Sequence, residues 1–153
     1  MTSDIALNHA EFEAEVDIAA SPEAVWKALT ETVGEWWPHS YEDHPVRIAL
    51  EPTIGGRFYE QFNESGAGAL YANVTYLEPG HVLRVSGPMG LRGAANYVKT
   101  YRIEPTAGGT KVRTSASIMG ALSPETIEDY RNGGVEVLRS LKAHLEPVTA
   151  SAG

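Results

Sequence analysis

The sequence predicts an α+β fold, a curved seven-stranded antiparallel sheet wrapped around one long C-terminal helix, with two short helices after the first strand. Three observations carry that expectation. Apolar residues alternate with polar ones from Val46 onward for about seventy residues, the pattern of successive antiparallel hairpins. Helix-start chemistry occurs twice, at Ser21-Pro22-Glu23 and Ser123-Pro124-Glu125: a capping hydroxyl, a proline at the first helical position and an acid near the positive end of the helix dipole. The second of these opens a stretch free of proline until Pro147, in which Ile127, Tyr130, Leu138, Leu141 and Leu145 recur at helical spacing.

In chain order, Glu11 to Ala20 comes first, with Phe12, Ala14, Val16 and Ile18 on one face and Glu11, Glu13, Glu15 and Asp17 on the other. That is a half-buried strand with an acidic outer face. Val25, Trp26 and Leu29 then form the apolar face of a short helix, and a second short helical piece is expected to carry Trp36 and Trp37 before Pro38 ends it. Pro38 to Pro45 reads as a polar and aromatic loop. Strands follow at Val46 to Leu50, Arg57 to Asn63, Leu70 to Glu78, Val82 to Ser86, Tyr97 to Glu104 and Thr110 to Met119, separated by Gly- and Pro-containing turns. In the second of these, the phenylalanines favour the register that turns Phe58, Glu60 and Phe62 inward. Gly87 to Gly93, with Pro88, Met89 and Leu91, is too glycine-rich for regular structure and reads as a loop or lid. The closing helix, of about 22 residues, would be roughly 33 Å long, enough to cross a small domain.

Composition narrows the function classes. A chain of 153 residues, 42% hydrophobic and 21% charged, is expected to form one domain over 1–153, with an ordered core from about residue 10 to 147 and a frayed tail from Val148 to Gly153. The net charge of −8 and the scattering of the 12 Lys and Arg argue against nucleic acid as a partner. The absence of cysteine excludes disulfides, thiolate metal sites and a cysteine nucleophile. No apolar stretch approaches the roughly 18 residues of a membrane span, and Met1 to Ala10 lacks the regions of a signal peptide, so the expected location is the cytoplasm.

The middle of the last helix is bare. Asn132-Gly133-Gly134 costs about 1 kcal/mol per glycine relative to alanine in a helix. Either space is kept beside the helix, or a kink there is filled by a neighbouring ring such as Tyr101 or Trp26.

The order of elements, with these residues, resembles the helix-grip or SRPBCC (START-like) superfamily, and within it the bacterial proteins related to the activator of heat-shock protein 90 ATPase. The resemblance rests on Ala20 to Thr30, Glu35-Trp36-Trp37-Pro38, Glu51-Pro52 leading to Gly55-Gly56-Arg57-Phe58-Tyr59-Glu60, Tyr76-Leu77-Glu78-Pro79, Gly108 to Val112 and Leu138 to Glu146. It implies a helix-grip fold with a cavity between sheet and last helix, in a superfamily of lipid and small-molecule carriers, polyketide cyclases and co-chaperone domains. Relatives often carry an aromatic residue after a glycine in that helix. With Gly133-Gly134 here instead, the resemblance implies that the glycine pair sets the size of the pocket.

The expected ligand is therefore a small, largely apolar molecule, held without cofactor or metal by Trp26, Trp37, Phe58, Glu60, Phe62, Tyr71, Lys99, Tyr101, Tyr130 and Gly134. Glu60 is the candidate catalytic residue: inward between two phenylalanines it would serve as general acid or base of a cyclase or isomerase, whereas a rim position would leave it in water. Lys99 shares a face with Tyr97, Tyr101 and Ile103. It could pair with Glu60, meet an acidic group of a ligand, or snorkel to solvent. His39, Asp43 and His44 lack regular ligand spacing and read as a solvated loop rather than a metal site. Arg92 could clamp a carboxylate from its loop. Ser21, Ser115 and Ser117 have no recognisable activating histidine. A chaperone-activator role through an exposed surface is a further alternative, and a homodimer is the other partner left open.

Overall fold

The computed structural model describes residues 6–146. The expected end of the core at Pro147, the tail Val148 to Gly153 and the first residues of the chain lie outside the described residues.

Seven strands and two α-helices follow one another as β1 (Asn8–Ile18), α1 (Pro22–Thr30), β2 (Arg47–Leu50), β3 (Arg57–Gln61), β4 (Gly68–Glu78), β5 (Val82–Gly87), β6 (Ala95–Thr106), β7 (Gly109–Gly120) and α2 (Pro124–Leu145). The strands form one antiparallel sheet in the order β1-β7-β6-β5-β4-β3-β2. Hairpins account for every pairing except the first, in which β1 pairs along its length with β7, from Asn8 opposite Gly120 to Ile18 opposite Thr110. This is the α+β helix-grip architecture expected from the sequence. Along β1 the acidic face is exposed and Phe12, Ala14 and Val16 are half-buried, with Ile18 fully buried.

Both helix starts use the expected chemistry. Ser21 Oγ accepts from Ala24 N–H and Ser123 Oγ accepts from Thr126 N–H, each at 3.1 Å, so each cap satisfies a backbone donor that the first turn leaves unpaired. The second short helix is smaller than expected, a single 3-10 turn at Val33–Glu35, and Trp36 and Trp37 follow it rather than ride on it. Their N–H groups donate back to Val33 O at 3.3 and 3.0 Å, while Trp36 Nε1 donates to Ala28 O at 2.7 Å. Buried Trp36 thus plugs the space between α1 and α2, where Ser140 Oγ donates to its carbonyl.

Helix α2 lies on the concave face against β1 and α1. Leu141 is fully buried, worth about 2 kcal/mol by area, and Val137 and Leu138 are buried beside it. At its C-terminal end, Ala19 N–H donates to Glu146 Oε2 at 2.6 Å and Lys142 Nζ donates to Asp17 O at 2.6 Å, tying the helix to the end of β1. The apolar interior is divided into two clusters. One gathers Leu29, Trp36, Phe58, Tyr71, Leu83, Val137 and Leu141, with others around them. The other gathers Tyr97, Ala116, Ile118 and Leu122, with Phe12, Ile127 and Tyr130 packed against them.

Candidate functional site

Between those clusters lies a cavity of about 390 Å³. Gly133 and Gly134 form part of its roof. A Cβ placed on Gly134 would meet only Lys99 Nζ, at 3.9 Å, and one on Gly133 only His39 Nε2, at 3.6 Å. No aromatic ring fills the gap. Tyr101 turns to a small void on the far side with Leu29, Trp36 and Phe58, and half-buried Trp26 sits on the outside beside Glu23, Lys27 and His81. The bare stretch of α2 therefore has room for a methyl group at either position, in ordinary contact with the end of one side chain.

The walls come from four regions. Strands contribute Tyr71 (β4), Tyr97 and Lys99 (β6), helix α2 contributes Asp129, Tyr130 and Val137, the segment after the 3-10 turn contributes Trp37, His39, Ser40 and Tyr41, and the β5–β6 loop contributes Met89 and Gly90. The inner end is enclosed by Tyr71, Tyr97, Lys99 and Val137, all at most 4% exposed. The mouth is marked by His39, Ser40, Tyr41 and Asp129, all exposed. A groove of about 430 Å³ among Glu13, Glu15, Arg102 and Arg113 has similar volume, but its walls are charged and polar.

Tyr71 reaches the cavity because of an irregularity. Phe58 pairs with Ala72 but Tyr59 pairs with Leu70, so Tyr71 is the extra residue of a bulge and is buried together with its neighbour Ala72. Its ring stacks on Tyr41 at 6.2 Å and meets Phe58 edge-on at 5.0 Å. Burial, then its hydrogen bond to Glu60, raises the Tyr71 pKa well above the ordinary phenol range.

Glu60 is inward and 1% exposed, as the strand register requires. It does not line the cavity. Its two carboxyl oxygens accept the N–H groups of Tyr41 and Glu42 at 2.8 and 2.9 Å, and the Tyr71 hydroxyl also donates to Oε1. A polar group in this position would be costly unpaired; instead it pins the loop that forms one side of the mouth. Phe58 and Phe62 support the same corner, Phe58 beneath Trp37 at 4.8 Å and Phe62 against Tyr41 at 5.7 Å.

Lys99 is 2% exposed and forms no hydrogen bond or ion pair with another described residue; its ammonium lies 5.0 Å from the centre of the Tyr101 ring. Every fully enclosed side-chain nitrogen or oxygen among the described residues does have a hydrogen-bond partner. The unpartnered Nζ therefore reaches the cavity space. Burial lowers its pKa from 10.5 to about 8. Burial also pushes Tyr97 and Tyr130 up to about 12, so both phenols stay protonated at neutral pH.

The opposite side of the mouth is the Gly87 to Gly93 loop. Met89 N–H donates to Tyr71 O and Met89 O accepts from the Tyr130 hydroxyl, both at 2.7 Å. These two bonds hold Met89 at φ +45°, in a region non-glycine residues seldom occupy. Gly90 follows at φ +83°, a backbone conformation that favours glycine, with the Tyr130 and Tyr41 hydroxyls nearby.

Of the residues expected from the sequence, Trp37, Tyr71, Lys99, Tyr130 and Gly134 meet at the cavity. Trp26, Phe58, Glu60, Phe62 and Tyr101 stand behind or away from it, for the reasons above. Arg92, Asp43 and His44 are exposed, and His39 lies on the rim, 3.8 Å from Glu136. Among the described residues no three His, Asp or Glu side chains converge on a metal-sized site. The cavity also takes in Tyr41, Tyr97, Asp129 and Val137, beyond the residues expected there; of these, Tyr97 shares the alternating face of Lys99 and Val137 falls one step from the stripe of α2.

Residues 9–146 match the family described as polyketide cyclase/dehydrase and lipid transport. The chain belongs to that family. The match names the wider superfamily and not the branch related to the heat-shock protein 90 ATPase activator. Among solved structures, an uncharacterised protein from Rhizobium leguminosarum is similar at TM-score 0.73 and 19% identity, over 95% of this chain and 100% of that one. A Staphylococcus aureus protein of unknown function is similar at 0.68 and 17%, over 92% and 95%, and a Rhizobium loti protein at 0.66 and 18%, over 92% and 99%. At such identities these likenesses speak for the fold. A comparison with curated proteins finds no match. As a member of the polyketide cyclase/dehydrase and lipid transport family, the chain belongs among proteins that handle hydrophobic molecules, and no helix of the described residues is long and apolar enough to cross a membrane.

Proposed function

We propose that this protein binds a small, largely apolar molecule in the cavity between β4, β6 and α2. The observation that carries this reading is the space under Gly133 and Gly134, walled by Trp37, Tyr71, Tyr97, Tyr130, Met89 and Val137. Its volume falls in the range of small-molecule sites, roughly 300–1,000 Å³, and its walls are mostly apolar with few polar groups, the usual composition of such sites. Glu60 serves here as a latch for the mouth rather than as an acid or base, because its oxygens are occupied by Tyr41, Glu42 and Tyr71. The role is that of a cytoplasmic carrier or sensor.

Native mass spectrometry of freshly purified protein tests it. A retained small molecule, absent from a Gly134→Leu variant whose new side chain occupies the cavity, is the expected result. Equal retention by both proteins would remove the cavity from the explanation.

A further inference from the structure

Lys99 is a cation without a counter-ion, in a structure that otherwise pairs its enclosed polar groups. Its neighbours across the sheet, Val85 on β5 and Ala116 on β7, are apolar, and the α2 segment above it is Gly134. The titratable groups lining the same cavity are His39, Tyr41, Tyr71, Tyr97, Asp129 and Tyr130. Asp129, the acid among them, is exposed at the mouth, and the carboxyl of Glu60 is committed to the loop of Tyr41 and Glu42. An ammonium held in an apolar enclosure is unfavourable until an anion or acceptor reaches it.

Resting on the cavity reading above, we infer that the natural ligand is an apolar organic monoanion, a carboxylate or similarly acidic group on a ring-bearing or hydrocarbon body, whose charge meets Lys99 Nζ at the inner end. Its acidic group enters first and its apolar body lies between Trp37, Tyr71, Tyr97 and Tyr130. Charge favours one acidic group over two, since Asp129 at the mouth would repel a second. The aromatic walls exclude water and so strengthen the single ion pair. The Tyr101 ring beneath the ammonium holds the amine in place by its negative face without neutralising it.

Two dyes of nearly the same skeleton separate this inference from the cavity reading: anilinonaphthalene sulfonate, an apolar monoanion, and the neutral N-phenylnaphthylamine. Fluorescence titration near neutral pH is expected to give tighter binding of the sulfonate, by roughly tenfold or more, the size of a charge-assisted contact. Lys99→Met should abolish that preference while leaving the neutral dye bound, which also shows that the variant is folded. Gly134→Leu should weaken both dyes. Equal affinities in the unaltered protein, or a sulfonate affinity unmoved by Lys99→Met, would overturn the inference and leave the cavity reading standing. Failure of both dyes to bind would overturn the cavity reading and this inference with it.

Discussion

Lys99 Nζ lies 3.9 Å from where a Cβ on Gly134 would stand. A residue without a side chain on the helix faces a long cationic side chain on the sheet, and both line the cavity. Gly134→Ala should therefore find room. It is expected to raise the unfolding free energy by about 1 kcal/mol, the ordinary helix preference of alanine over glycine, read from urea denaturation midpoints. A loss of stability would mean that the backbone there is constrained in some other way.

The ammonium of Lys99 gives a pH signature. Its pKa is about 8 in the folded protein, against 10.5 for an ordinary lysine, so the unfolded chain binds that proton more tightly. Between those two values the folded protein has released the proton and the unfolded chain has not, and stability from this site rises with pH across the window. The rise amounts to on the order of 3 kcal/mol. Urea unfolding of the unaltered protein and of Lys99→Met at about pH 7 and about pH 10 should show Lys99→Met the more stable at the lower pH, with the gap closing at the higher. A gap independent of pH would contradict the buried, unpaired amine.

Glu60→Gln tests the latch. A glutamine keeps one acceptor oxygen, but its amide group confronts a backbone N–H donor with another donor. Loss of about 1–3 kcal/mol is expected. Hydrogen exchange should quicken at the amides of Tyr41 and Glu42 and leave those of α2 unchanged. Exchange unchanged at those two amides would show that the loop is held by other means.

Tyr130→Phe removes the bond to Met89 O and leaves the ring in place. The expected loss is about 1 kcal/mol, with faster proteolysis confined to the loop of residues 87–93, because Met89 would lose one of the two bonds that keep it at positive φ. Limited proteolysis followed by mass spectrometry locates the cut. Cleavage that stays as slow as in the unaltered protein would assign the loop's order to the Met89–Tyr71 bond.

Much of this molecule can be read from period and punctuation. The alternation of β1 and β6, the two Ser-Pro-Glu caps and the bare step at Gly134 all declare themselves, because each depends on residues near in sequence. Glu60 illustrates what alternation leaves out: it gives the face of a side chain, not whether the chain end is open to a cavity or sealed by a loop arriving from Tyr41. The bulge that turns Tyr71 inward is harder still, since it shifts register opposite Phe58 and Tyr59 without any glycine or proline to mark it. Trp26 misleads for the opposite reason, as a large ring on a helix's apolar face that ends up as an outer covering.

The division of the interior has one more consequence. Met89 touches both apolar clusters, at the edge of the space that separates them. A molecule seated between them would fuse two half-cores into one, serving as a removable keystone. Thermal stability would then climb with the logarithm of ligand concentration above its dissociation constant, so the loaded and the empty protein would differ in lifetime as well as in content.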